Sequence, residues 1–148
     1  MTLHKDLKEF VESLNSLNID YVVVGAVAVG KHGFPRTTGD LDLLVRTSTE
    51  NAAKLERAFT DLGFGSLGLT AENFLEPGQT IQVGRPPNRI DILTSISGVE
   101  FDDVWASRER GDLDGVAVSF IAKDLLIRNK RAAGRPKDLI DAAELTSI

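Results

Sequence analysis

A chain of 148 residues with 42% hydrophobic side chains is sized for one domain, residues 1–148, with a real core. It has no cysteine and only two histidines, which excludes disulfides and thiol chemistry and leaves too few ligands for a typical zinc centre. A net charge of −5, from 22 acids against 17 bases, argues against a broad nucleic-acid-binding surface while allowing a local one.

Leu3, Leu7, Phe10, Leu14 and Leu17 recur at helical spacing and predict an amphipathic helix over 3–17. Tyr21-Val22-Val23-Val24 follows as a short interior strand ending at Gly25-Ala26, after which Val27-Ala28-Val29 opens a short helix. Gly33-Phe34-Pro35 breaks the chain, and His32 beside it reads as a surface histidine. Arg36-Thr37-Thr38-Gly39 leads into a second strand, Asp40-Leu41-Asp42-Leu43-Leu44-Val45. Ala52, Leu55, Phe59 and Leu62 mark a helix over 50–62, with Ser48 or Thr49 as its cap.

From Gly63 to Gly78 no clean period emerges. Segments 81–83 and 89–93 read as a hairpin joined by Gly84-Arg85-Pro86-Pro87-Asn88. Phe101, Val104, Trp105 and Arg108 mark a short helix, and Val116-Ala117-Val118 a further strand. A helix capped by Ser119 is expected to run to about Ala132, where Gly134 stops it. Pro136 then suits the first turn of a final helix, where its missing N–H costs little. The order predicts an α/β (α+β) domain: a small mixed sheet packed against helices, with helices at the C-terminal end.

The acids carry the chemistry. Asp40 and Asp42 stand two apart in a strand, so they share one face while Leu41 and Leu43 share the other. Asp91, between Ile90 and Ile92, joins them if its strand is a neighbour, and Arg89 lies on the same face as Asp91. Clustered carboxylates raise one another's pKa unless cations neutralise them. Hard divalent ions suit such oxygen ligands, and Mg2+ takes one or two carboxylates together with water and substrate phosphates. The blander reading is a solvated strand. The basic residues Lys123, Arg128, Lys130, Arg131, Arg135 and Lys137 crowd near the C-terminal end. They read either as an exposed helical surface or as a phosphate-facing patch.

These segments resemble a known family. Val24-Gly25-Ala26-Val27-Ala28, then Arg36-Thr37-Thr38-Gly39-Asp40-Leu41-Asp42-Leu43-Leu44, then the strand acid Asp91, resemble the signature of the nucleotidyltransferase superfamily, whose core is shared with polymerase beta. The pattern is most similar to small bacterial AbiEii-like and MNT-like nucleotidyltransferases, many of them toxins or partners in toxin–antitoxin systems. Lys123, Lys130-Arg131 and Lys137-Asp138 followed by Asp141 resemble the basic-then-acidic helical motif of AbiEii-like proteins. The resemblance spans about residues 20–145.

It implies a nucleotidyltransferase fold and transfer of a nucleoside monophosphate from an NTP to a hydroxyl acceptor, whether an RNA end, a protein side chain or a small molecule. It implies Asp40, Asp42 and Asp91 as catalytic residues and as ligands of Mg2+ or Mn2+. Gly25, Ala26, Arg36, Thr38, Arg89, Lys123, Lys130 and Lys137 are the implied contacts to the nucleotide. So short a core also implies a second copy or a partner protein to complete the acceptor pocket. No membrane partner is expected, since no stretch could span a bilayer and the first residues lack the apolar run of a signal peptide, so the expected location is cytoplasmic.

One departure stands out. The superfamily usually shows Gly-Ser or Gly-Gly where this chain has Gly25-Ala26, so a hydroxyl contact to phosphate worth about 1.5–3 kcal/mol is missing. That leaves a second expectation open: a catalytically weakened domain acting as a regulatory or antitoxin-like binding partner.

Overall fold

The computed structural model describes residues 3–35, 39–63, 68–85 and 87–148. The expectations for Arg36 and Thr38 therefore fall outside the described residues.

Helix α1 (Lys5–Ser16) buries Leu7, Phe10, Val11 and Leu14, the stripe its apolar spacing dictates. Strand β1 (Tyr21–Val24) is buried throughout and turns at once into α2 (Gly25–Lys31). That helix starts two residues earlier than its apolar pattern suggests, because Gly25 takes φ +68° and redirects the chain as the strand ends. Strand β2 (Asp40–Val45) keeps Leu41 and Leu43 fully buried while Asp40 and Asp42 remain partly accessible. Helix α3 (Thr49–Asp61) is capped by the Ser48 hydroxyl, which accepts from the Asn51 amide.

A single 3-10 turn (Ala71–Phe74) brings Phe74 under α3, where its ring lies 5.5 Å from that of Phe59. Phe59 in turn meets Phe10 edge-on at 5.1 Å. Strands β3 (Thr80–Arg85) and β4 (Asn88–Leu93) form the expected hairpin, and α4 (Phe101–Ala106) follows.

Strand β5 (Glu109–Leu113) is an element the sequence pattern did not suggest. Glu-Arg-Gly-Asp-Leu lacks apolar alternation, yet it forms an edge strand of the sheet, where charged side chains find water and discourage edge-to-edge pairing. Its partner β6 (Val116–Phe120) is longer than expected and absorbs Ser119, which is therefore a strand residue and not a helix cap. Helix α5 (Lys123–Ala133) begins after Ala122 and ends at Gly134, whose φ of +69° is the left-handed conformation that closes helices. Helix α6 (Pro136–Ser147) starts with Pro136 in its first turn.

The six strands form one mixed sheet in the order β3-β4-β2-β1-β6-β5. β1 runs antiparallel to β2 and parallel to β6, while β2 runs parallel to β4. Among the described residues, no helix is long and apolar enough to cross a membrane.

Candidate functional site

The parallel pairing of β2 with β4 sets the site. Its register places Asp42 opposite Asp91 and Asp40 opposite Arg89. Directly opposed residues of neighbouring strands point to the same face. Three carboxylates and one guanidinium therefore share a patch two residues deep and two strands wide.

Arg89 binds the acids on either side of it. Its Nε donates to Asp91 Oδ1 at 2.8 Å, and its Nη2 donates to Asp91 Oδ2 at 3.2 Å and to Asp40 Oδ2 at 3.0 Å. Asp91 is 8% exposed, unusually low for an acid, and this fork is what satisfies it. Asp42 has a different environment. Burial pushes its carboxyl up to about 6, the negative charges of Asp91 and Asp40 add to the rise, and Lys130 and Arg89 oppose it. Gly25 lies directly against Asp42: a Cβ at residue 25 would overlap the carboxylate. Glycine is thus required there twice over, by contact and by its positive φ.

A cleft of about 190 Å³ opens beside Asp42, at the junction of β1 with α2 and under the elbow between α5 and α6. Val24, Gly25 and Asp42 form one wall, and Lys130, Arg135 and Asp138 another. Lys130 is only 6% exposed and donates to Asp138 Oδ1 at 3.4 Å, with Asp141 Oδ2 at 3.2 Å. Arg135 Nε donates to Asp138 Oδ2 at 2.7 Å. Burial opposes the charge on Asp138, yet the Arg135 hydrogen bond and the Lys130 and Arg135 charges outweigh it and hold its pKa below the ordinary value. The basic cluster of the sequence is therefore not simply a solvated surface: at Lys130 it turns inward.

The other implied nucleotide contacts scatter. Ala26 follows Gly25 in the first turn of α2. Lys123 donates from Nζ to the Ile148 carbonyl at 3.0 Å, and Lys137 is exposed in the first turn of α6; neither lines the cleft. His32 is half-buried, with Nε2 donating to the Ile121 carbonyl at 2.7 Å. Arg135, Asn129 and Ser97 line the cleft without having been singled out as site residues. For Arg135 a signal existed, since it immediately precedes Pro136 and so had to sit at the helix elbow. Among the described residues, no group of three or more His, Cys, Asp or Glu side chains is arranged to hold a metal ion.

No protein-family description and no curated protein matches the chain by sequence. Several solved structures resemble it in fold, among them the following two. An antigenic nucleotidyltransferase-like protein from Paracoccidioides brasiliensis superposes with a TM-score of 0.54 at 17% identity, covering 99% of this chain and 77% of that one. A nucleotidyltransferase candidate from Thermotoga maritima superposes with a TM-score of 0.55 at 15% identity, covering 95% and 88%. Such distant likeness establishes the fold: a mixed sheet flanked by helices, as in nucleotidyltransferase-like proteins.

Proposed function

We propose that the chain is a metal-dependent nucleotidyltransferase that moves a nucleoside monophosphate from an NTP to a hydroxyl acceptor. The observation that carries this reading is the in-register pairing of Asp42 with Asp91, with Asp40 on the same face, beside a cleft walled by Gly25 and Lys130.

The donor set fits Mg2+ or Mn2+ in chemistry. All three ligands offered are hard carboxylate oxygens, and Asp42, whose pKa is raised by burial first and by Asp91 and Asp40 next, is an acid whose charged form a cation would stabilise. Asp40, Asp42 and Asp91 are the residues that would hold it, once Arg89 yields. When bound, such an ion neutralises phosphate charge and makes the acceptor hydroxyl easier to deprotonate.

The chain's own groups do the rest. Asp91 accepts the proton of the acceptor hydroxyl as that oxygen bonds to the α-phosphorus and the bond to the pyrophosphate oxygen breaks. Lys130 and Arg135, on the opposite wall, offer positive charge to the departing pyrophosphate. Gly25 lets the nucleotide approach the backbone without meeting a Cβ. Arg36, Thr38 and Ala26 lead into or flank this region in sequence, whereas Lys123 and Lys137 serve only if the terminal helix shifts. Chemistry of this kind rests on positioning and charge neutralisation.

The AbiEii-like or MNT-like affiliation, and with it a toxin–antitoxin setting, belongs to the same proposal. The acceptor would be an RNA end, a protein side chain or a small molecule. A second reading, favoured by the missing hydroxyl at Ala26, is a weakened member of the fold that acts as a binding partner. One experiment separates them. Wild type is incubated with each α-labelled NTP, Mg2+ or Mn2+, and total RNA and protein. Label transfer that disappears in Asp42→Ala and Asp91→Ala supports the enzyme. Absence of transfer with all four nucleotides, and partner capture unchanged by the same substitutions, supports the binding module.

A further inference from the structure

We infer that Arg89 is a built-in counter-ion that holds Asp40 and Asp91, two of the three carboxylates, against divalent cations, so that metal binds weakly until a polyphosphate draws the guanidinium away. The release step rests on the nucleotidyltransferase reading; the exclusion does not.

The geometry is specific. Arg89 engages both oxygens of Asp91 and one of Asp40 at 2.8–3.2 Å. A cation shared by Asp40 and Asp91 needs oxygens that the guanidinium already holds. Asp91 has both of its oxygens in hydrogen bonds to the guanidinium, and Asp40 has its Oδ2 in one. The arrangement is fixed by strand register, since Asp40 and Arg89 are direct cross-strand partners. It is not a chance encounter of long surface side chains.

Arginine cannot surrender this place by losing a proton, because its guanidinium stays charged across the accessible pH range. It can leave only as a cation, and it must then find another anion. A phosphate offers the planar, two-point match that the carboxylate supplied. In the exchange the guanidinium passes from carboxylate to phosphate, and the divalent ion takes its place on the carboxylates. Ion and nucleotide binding are thereby coupled, each favouring the other.

The test uses the full chain and Mn2+, with the paramagnetic resonance signal of free Mn2+ as readout. Wild type, Arg89→Gln, Arg89→Lys and the double variant R89Q/D42N are titrated with and without a non-hydrolysable NTP analogue. Without nucleotide, R89Q should bind Mn2+ roughly tenfold or more tightly than wild type, as removal of a neighbouring positive charge requires. R89K should stay near wild type, and R89Q/D42N should lose the gain. Equal or weaker binding by R89Q overturns the inference.

A measurement on wild type guards against a variant that fails to fold. The Arg89 Nε–H resonance should stay put when millimolar Mg2+ is added alone and move when Mg2+ and the analogue are added together. A shift with Mg2+ alone overturns the inference as well. If R89Q gains affinity but the analogue changes neither protein, the exclusion stands and it is the nucleotide reading that fails.

Discussion

Asp42→Asn should make this protein more stable at neutral pH, and only there. The Asp42 carboxyl has its pKa raised from 3.8 to about 6 by burial first and by Asp91 and Asp40 next. The folded chain therefore holds this proton more tightly than the unfolded chain does. Below the unfolded value the group is protonated in both states and costs nothing. Between about pH 4 and pH 6 the unfolded chain ionises first, so this group's contribution to stability falls as pH rises. Above pH 6 the full cost is present, about 3 kcal/mol at 1.36 kcal/mol per unit, and less if the site relaxes around the charge.

Asparagine keeps the shape and removes the charge. We expect D42N to gain about 1–3 kcal/mol near pH 7.5, a rise of roughly 2–10 °C in melting temperature for a chain of this size. The gain should vanish near pH 4. Urea denaturation of both proteins across this range gives the difference directly, and taking the difference removes the acid sensitivity that Asp138 shares between them. A D42N protein that is equally or less stable at neutral pH would refute the assignment of Asp42 as a buried, repelled carboxylate.

Gly25→Ala forces a Cβ against the Asp42 carboxylate at a positive φ, so we expect a loss of about 2 kcal/mol or more in urea denaturation. Combining it with Asp42→Ala should recover part of that loss by removing the overlap. Lys130→Met withdraws a buried cation facing Asp138 and Asp141 and should cost about 3–5 kcal/mol at neutral pH. The deficit should shrink as acid neutralises the carboxylates, which thermal melts at successive pH values would resolve.

The site was legible where it depends on strand alternation and obscure where it depends on register. Period-two geometry is local, so Asp40, Asp42, Leu41 and Leu43 could be sorted to their faces from sequence alone. That Arg89 faces Asp91 follows from the same rule. That it also binds Asp40 does not, because the partner depends on how β2 and β4 slide past each other. Strand β5 has no apolar alternation to betray it, because an edge position lets charged residues occupy a strand, and Ser119 lies in β6 and caps no helix because pairing with β5 carries that strand two residues further. Lys130 and Lys123 look alike in sequence on one helix. Only tertiary packing sends one into the cleft and the other to the Ile148 carbonyl.

The two walls of the cleft come from segments far apart in the sequence. Asp42 lies on β2, whereas Lys130, Arg135 and Asp138 come much later in the chain, on α5 and at the start of α6. The strand pair β2–β4 thus carries its own cation, Arg89, while Lys130, across the cleft from Asp42, is supplied by the packing of distant helices. Loosening α5 and α6 would remove Lys130 from Asp42 and leave Arg89 in place.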